Sequence, residues 1–144
     1  KLEEHWDDGM RSLHGINVHG FPNLFILGLA QGGSLVANVT HNFTESASAI
    51  AAMIGQCLES GSETLEPTAD AEQAWLDRLE VQDRGFLANC TPGYYNNEGS
   101  AASDRDLFST ARYPDGPVAF FEYLRQWASN GTFEGLEFSP PSND

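Results

Sequence analysis

Gly20-Phe21-Pro22-Asn23-Leu24-Phe25-Ile26-Leu27-Gly28-Leu29-Ala30-Gln31-Gly32-Gly33-Ser34-Leu35-Val36-Ala37-Asn38 is the passage on which the fold turns. Four apolar residues, Leu24 to Leu27, stand between Pro-Asn and Gly. That pattern predicts a strand buried on both faces, as in a parallel sheet covered by helices. Residues 29–37 follow as a loop in which Gly32 and Gly33 supply backbone freedom. Asn38 carries the side chain of a helix N-cap. A strand that delivers its backbone to a helix N-terminus is how α/β proteins meet anionic or polar cofactor groups. Taken alone, the passage also fits ordinary loop and cap structure.

Downstream of Asn38, Phe43, Ala47, Ile50, Ile54, Cys57 and Leu58 recur at spacings of three and four, which predicts one helix with these residues on its inner face. Ser60-Gly61 stops it, glycine being the usual left-handed terminator. Ser62–Pro67 reads as a polar, acidic linker. A second helix is expected from Thr68 to about Gln82, with Ala71, Ala74, Trp75 and Leu79 inward and Asp70 and Glu72 suiting its dipole. Residues 86–112 are rich in Gly, Asn, Ser and Asp, and a loop of that length is usually functional. A third helix starts at Gly116-Pro117, proline being permitted in the first turn. Its stripe is Val118, Phe121, Leu124 and Ala128, widened by Phe120 and Trp127, and Asn130-Gly131 ends it. Phe133–Phe138 is expected to add a short edge strand. Upstream, a short strand or hairpin arm is expected around Gly15–Val18.

The chain has 144 residues, room for one ordinary domain. With 40% hydrophobic and 19% charged residues it reads as globular. Seven Lys+Arg against 21 Asp+Glu give a formal charge of −14, which repels phosphate backbones and anionic membranes. Nucleic-acid and lipid-surface roles are therefore not expected. There is no run of 18 apolar residues and no apolar signal-peptide core, so a cytoplasmic protein is expected. The first residue is Lys, and the chain reads as part of a longer one. Cys57 and Cys90 make no disulfide framework. Asn38, Asn42, Asn89 and Asn130 each open an Asn-X-Ser/Thr triplet, which an Asn- and Thr-rich sequence produces by chance.

The chemical motifs are mostly absent. His5, His14, His19 and His41 show no zinc-type spacing, so no metal is expected. No glycine-rich phosphate fingerprint and no Gly-X-Ser-X-Gly elbow occurs. The paired carboxylates, Glu63 with Glu66 and Asp70 with Glu72, read as solvated acidic surface.

Three ordered pieces carry a resemblance that covers most of the chain. Trp6-Asp7-Asp8-Gly9 followed by Gly20-Phe21-Pro22-Asn23-Leu24-Phe25 resembles the run into the last strand of the flavin domain in Baeyer–Villiger monooxygenases. Thr68-X2-Ala71-Glu72-X2-Trp75 resembles a helix that follows later in that family. Cys90-Thr91-Pro92-Gly93-Tyr94-Tyr95-Asn96-Asn97-Glu98-Gly99, with Gly116-Pro117-Val118-Ala119-Phe120-Phe121, is similar to the C-terminal portion of one of its branches. The loop departs from the better-known branch. It reads Gly28-Leu29-Ala30-Gln31-Gly32-Gly33-Ser34 in place of a Gly-Pro-X-Ser-Pro-Ser type sequence and is one residue longer.

The resemblance implies an α/β fold, the C-terminal part of a flavoprotein with two dinucleotide-binding domains. Residues 1–61 would be the last strand, active-site loop and long helix of the FAD domain. Residues 62–144 would be a helical and loop region packing on the FAD and NADP domains. It further implies an FAD- and NADPH-dependent enzyme that inserts one atom of O2 beside a ketone carbonyl, by way of a C4a-peroxyflavin, to give an ester or lactone. By match, Gly28, Gln31, Asn38, Val39 and Thr40 would meet the flavin, and Ser34, Leu35, Val36, Tyr94 and Tyr95 would face the substrate. No catalytic residue of the family falls in this chain, because both dinucleotide fingerprints, the His- and Trp-containing signature and the catalytic arginine lie earlier in the family's sequences. The implied partners are the N-terminal portion of the same enzyme, a small-molecule ketone and O2. Two other readings stand beside it: a flavin monooxygenase that oxidises nitrogen or sulfur, and a non-catalytic acidic binding module.

Overall fold

The computed structural model describes residues 1–28, 31, 38–79, 91–92 and 111–141. The elements are α1 (Leu2–His5), α2 (Val39–Ser60), β1 (Thr64–Pro67), α3 (Ala69–Arg78), α4 (Gly116–Ser129) and β2 (Leu136–Ser139). Helix α2 starts and stops where the sequence places it. Asn38 Oδ1 accepts from the Thr40 N–H at 3.1 Å, and Gly61 takes the left-handed conformation at φ 67°. Helix α3 is capped by Thr68, whose Oγ1 accepts from the Ala71 N–H. It ends at Arg78, short of the expected Gln82, whose surroundings lie outside the described residues. Pro117 sits in the first turn of α4, and Asn130 and Gly131 (φ 70°) close it.

The sheet differs from expectation. Its two strands, β1 and β2, pair antiparallel, with Thr64 opposite Ser139 and Pro67 opposite Leu136. Ser62–Pro67 is therefore mostly strand rather than linker, while the expected tail strand is present as β2. Leu24–Leu27 forms no strand. A strand buried on both faces needs hydrogen-bonded neighbours on both edges, and here the bond found is from the Ile26 N–H to the Ile16 carbonyl at 2.7 Å. Its side chains are accordingly half-buried, and Leu27 is 54% exposed. The arm around Gly15–Val18 is a tight buried turn closed by a single bridge between Leu13 and Asn17.

One core crosses residue 61. It joins Leu13 and Ile16 from the turn, Met53 from α2, Leu65 from β1, Trp75 from α3, and Phe120 and Leu124 from α4. Its centre is aromatic. Phe120 and Tyr123 lie 5.3 and 5.9 Å from Trp75, and Tyr113 stacks on Trp75 at 5.9 Å. Such ring pairs add stabilisation beyond the area they bury. Gly135 (φ 89°) lets the turn before β2 lie against α3; a Cβ there would stand 2.7 Å from Ala71 Cβ.

Gly20-Phe21-Pro22-Asn23 does different work from the one its sequence suggests. Asn23 adopts φ 61°, a left-handed conformation that asparagine tolerates better than most residues. Its N–H donates to the Leu65 carbonyl at 2.9 Å, and its Oδ1 accepts from the Leu65 N–H at 3.0 Å. Glu66 accepts from the Gly20 N–H, and Glu72 from the His19 N–H. The passage is pinned to β1 and α3 through its own backbone.

Candidate functional site

The stretch that the sequence suggests as a site runs from Gly28 to the first turn of α2, and the described residues along it are Gly28, Gln31 and Asn38 onward. The first is Gly28, at φ 114°, whose N–H donates to Ser46 Oγ at 3.1 Å. Ser46 is fully buried, and its hydroxyl donates in turn to the Asn42 carbonyl at 3.0 Å. A Cβ at Gly28 would come within 2.9 Å of the Phe43 ring, so glycine is required both by φ and by space.

The second point is Gln31, which is fully buried. Its Nε2 donates to the Met10 carbonyl at 2.7 Å, and its Oε1 accepts from the Ser12 hydroxyl. The side chain thus points into the protein.

The third point is the N-terminus of α2, where Asn38, Val39 and Thr40 are all exposed. The Thr40 N–H is engaged by Asn38 Oδ1, which also accepts from Thr40 Oγ1 at 2.7 Å. The first N–H groups of a helix have no partner within it and carry its positive end. In a chain with 21 acidic residues, the first turn of α2 contains none, whereas α3 has Asp70 and Glu72 in its first turn. The positive end of α2 is left uncompensated by its own side chains. Ser34, Leu35, Val36, Tyr94 and Tyr95 lie outside the described residues.

Several groups around this frame were not legible as functional. Glu72, expected on a solvated surface, is 2% exposed. It is held by the His19 N–H at 3.0 Å and by Arg11 Nε at 3.4 Å, because the turn folds back over α3 and takes the carboxylate with it. Glu45 is buried on α2 and accepts from two guanidinium nitrogens of Arg125 on α4, Nε and Nη2. That pairing raises the pKa of Arg125 above its ordinary value. His14 sits edge-on to Trp75 and Trp127 at 4.8 and 4.5 Å, with Nε2 3.0 Å from the Tyr123 hydroxyl. Burial first, and the nearby Arg78 charge second, lower its pKa to about 3. Tyr123 is shifted upward, mainly by burial. His19 Nδ1 lies 2.9 Å from the Pro67 carbonyl, which can only accept, so Nδ1 carries the proton. Among the described residues no cluster of three His, Cys, Asp or Glu could hold a metal ion.

Nearly the whole chain aligns with flavoenzymes. It is 38% identical over 139 residues to an FAD-binding monooxygenase of Hypomyces subiculosus, covering 94% of this chain and 23% of that protein. It is 41% identical over 140 residues to a Baeyer–Villiger monooxygenase of Streptomyces coelicolor, covering 94% and 22%. Nearly all of the chain is therefore similar to one part of the Baeyer–Villiger and other FAD-binding monooxygenases. Among solved structures it superposes on the polycyclic ketone monooxygenase of Thermothelomyces thermophila with a TM-score of 0.74 at 26% identity, over 96% of this chain and 22% of that one. No family model matches. The chain thus spans under a quarter of the length of these relatives. Its mixed helix-and-strand fold is that of a piece of the two-domain flavoprotein of this family.

Proposed function

We propose that this chain is the C-terminal, flavin- and substrate-facing part of an FAD- and NADPH-dependent Baeyer–Villiger monooxygenase. One observation carries the reading: FAD-binding monooxygenases align over 94% of the chain, a stretch that holds the loop entry and the first turn of α2. The overall reaction is ketone + O2 + NADPH + H⁺ → ester or lactone + NADP⁺ + H2O. FAD, when bound, supplies the activation of O2 with electrons drawn from NADPH.

The residues present fit that group. An acid-free helix start offers a positive dipole end at Asn38, Val39 and Thr40 and the N–H donors of Asn38 and Val39, the Thr40 N–H being held by the cap. These suit the negative charge that a reduced isoalloxazine carries on its pyrimidine side. Asn38 holds the first turn in register through Thr40, so the donors are set before a ligand arrives. Gly28 brings backbone close without a side chain, and Ser46 keeps it there. Ser34, Leu35 and Val36, with Tyr94 and Tyr95, would line the cavity for the ketone. Residues 1–61 would complete the FAD domain and residues 62–144 would brace it against the NADP domain.

The partner is the N-terminal portion of the same enzyme, which would supply both dinucleotide fingerprints and the catalytic arginine. Neither nucleic acid nor membrane is a partner in this reading, and the compartment is the cytoplasm. No helix among the described residues is long and apolar enough to cross a membrane. The test is expression of the full-length enzyme with a cyclic ketone and NADPH, followed by mass analysis of the product. A yellow protein that adds one oxygen to the ketone is expected. A colourless protein, or one that oxidises only an amine or a sulfide, would overturn the reading.

A further inference from the structure

Gln31 is a fully buried polar side chain in the middle of a loop, and such a group is costly unless its hydrogen bonds are made. Two of its bonds run to residues 10–12, earlier in the chain. Nε2 donates to the Met10 carbonyl, and Oε1 accepts from Ser12 Oγ, itself fully buried. The intervening Arg11 is fastened in turn. Its carbonyl accepts from Trp6 Nε1 at 2.9 Å, and its guanidinium reaches Gln73 at 2.6 Å and Glu72 at 3.4 Å, both on α3. A continuous line of bonds therefore joins the loop at Gln31 to a helix of the core. Gly28 and Asn38, three residues before and seven after, are tied instead to α2.

We propose that Gln31 is a positioning residue: its carboxamide ties its own place in the chain to residues 10–12 and, through Arg11, to α3, in the stretch that the functional reading sets against flavin and ketone. The inference rests on the functional reading above. Gly28 and Asn38 are tied to α2 alone by these bonds, whereas the Gln31 clamp reaches a different element. No other neutral side chain of this length accepts from a hydroxyl and donates to a carbonyl at once.

The test uses the full-length enzyme with Gln31→Leu, Ser12→Ala and Ser12→Thr. Gln31→Leu keeps the volume and removes both bonds. It is expected to retain FAD, to raise KM for the ketone by roughly 3- to 10-fold, the size of one or two lost hydrogen bonds, and to divert NADPH oxidation from product to H2O2. Ser12→Ala should do the same to a smaller extent, and Ser12→Thr, which keeps the hydroxyl, should behave as the parent. Unchanged KM and unchanged product yield per NADPH in Gln31→Leu would overturn the proposal. Should Gln31→Leu fail to fold, Ser12→Ala decides by the same two readouts. Hydrogen exchange separates the clamp from the functional reading, since backbone amides of residues 28–38 should exchange at least several-fold faster in Ser12→Ala than in Ser12→Thr. A colourless parent enzyme would defeat the functional reading, and that exchange difference would still uphold or sink the clamp.

Discussion

Helices α2 and α4 pack against each other, and both show apolar residues at helical spacing, yet they use them in opposite ways. On α4 the large apolar residues go inward except Val118 in the first turn: Phe120, Phe121, Leu124 and Trp127 are all buried. On α2 the buried positions are Asn42, Glu45, Ser46, Ala49 and Met53, while Val39, Phe43, Ile54 and Leu58 stay exposed, Leu58 at 77%. The inward face of α2 is polar because it has polar work, holding Arg125 through Glu45 and Gly28 through Ser46. Periodicity marks a helix as two-faced. It does not say which neighbour covers which face. A contiguous apolar stripe on a helix marks a contact surface. In the proposed full-length enzyme, the stripe on α2 is where the remaining chain would lie.

The contrast can be broken most sharply at the centre of α4. Phe120→Ala removes a fully buried ring and is expected to cost about 3–5 kcal/mol in urea unfolding. A cost below about 1 kcal/mol would mean that α4 is not the core helix. Next comes the seat that α3 and β2 share. Gly135→Ala forces a Cβ against Ala71 at a positive φ, and a loss of about 1–3 kcal/mol is expected from the unfolding midpoint.

The aromatic core under α4 also predicts an acid sensitivity. His14 has a folded pKa of about 3 against an ordinary 6.5, so the unfolded chain takes up a proton that the folded one refuses. Its contribution is fully present above pH 6.5 and is lost on acidification from there toward pH 3. The loss is about 1.4 kcal/mol per pH unit. Urea midpoints at pH 7, 6 and 5 read this slope, and a His14→Gln variant should flatten it. Equal slopes in parent and variant would show that His14 accepts a proton in place. The smallest effect is expected at the far end of α2. Leu58→Ala should change the stability of this chain by no more than about 0.5 kcal/mol, and should cost more in the full-length enzyme. Equal effects in the two settings would mean that nothing covers the stripe.

What was legible in the sequence followed from local chemistry. Asn38 and Gly61 bound α2, Thr68 starts α3, and Pro117 and Gly131 frame α4, because caps and breakers act on their immediate neighbours. The aromatic part of the α4 stripe was legible too, whereas Val118, expected on the same face, is 68% exposed. The features that depend on distant segments were not. Leu24–Leu27 has the composition of a central strand but lacks the neighbours that would make it one. Glu72 resembles a surface acid until the turn at His19 closes over it. Gln31 matched a cofactor-facing position, and only the fold reveals that its side chain turns inward to Met10 and Ser12. The first turn of α2 was half legible: the cap could be read, but not its exposure or the engagement of Thr40.

The pairing of Asn23 with Leu65 has a further consequence for self-association. Strand β1 is bonded to β2 along one side, and the N–H and carbonyl of Leu65 point to the other. An open strand edge is a template on which another chain can add and begin to aggregate. Asn23 closes that edge with a single residue, its amide oxygen and its own N–H standing in for the two partners a third strand would bring. The bend in the chain at φ 61° then carries the backbone away before a third strand can form. The tetrapeptide that looked like the approach to a sheet is thus also what keeps strangers off the sheet of β1 and β2.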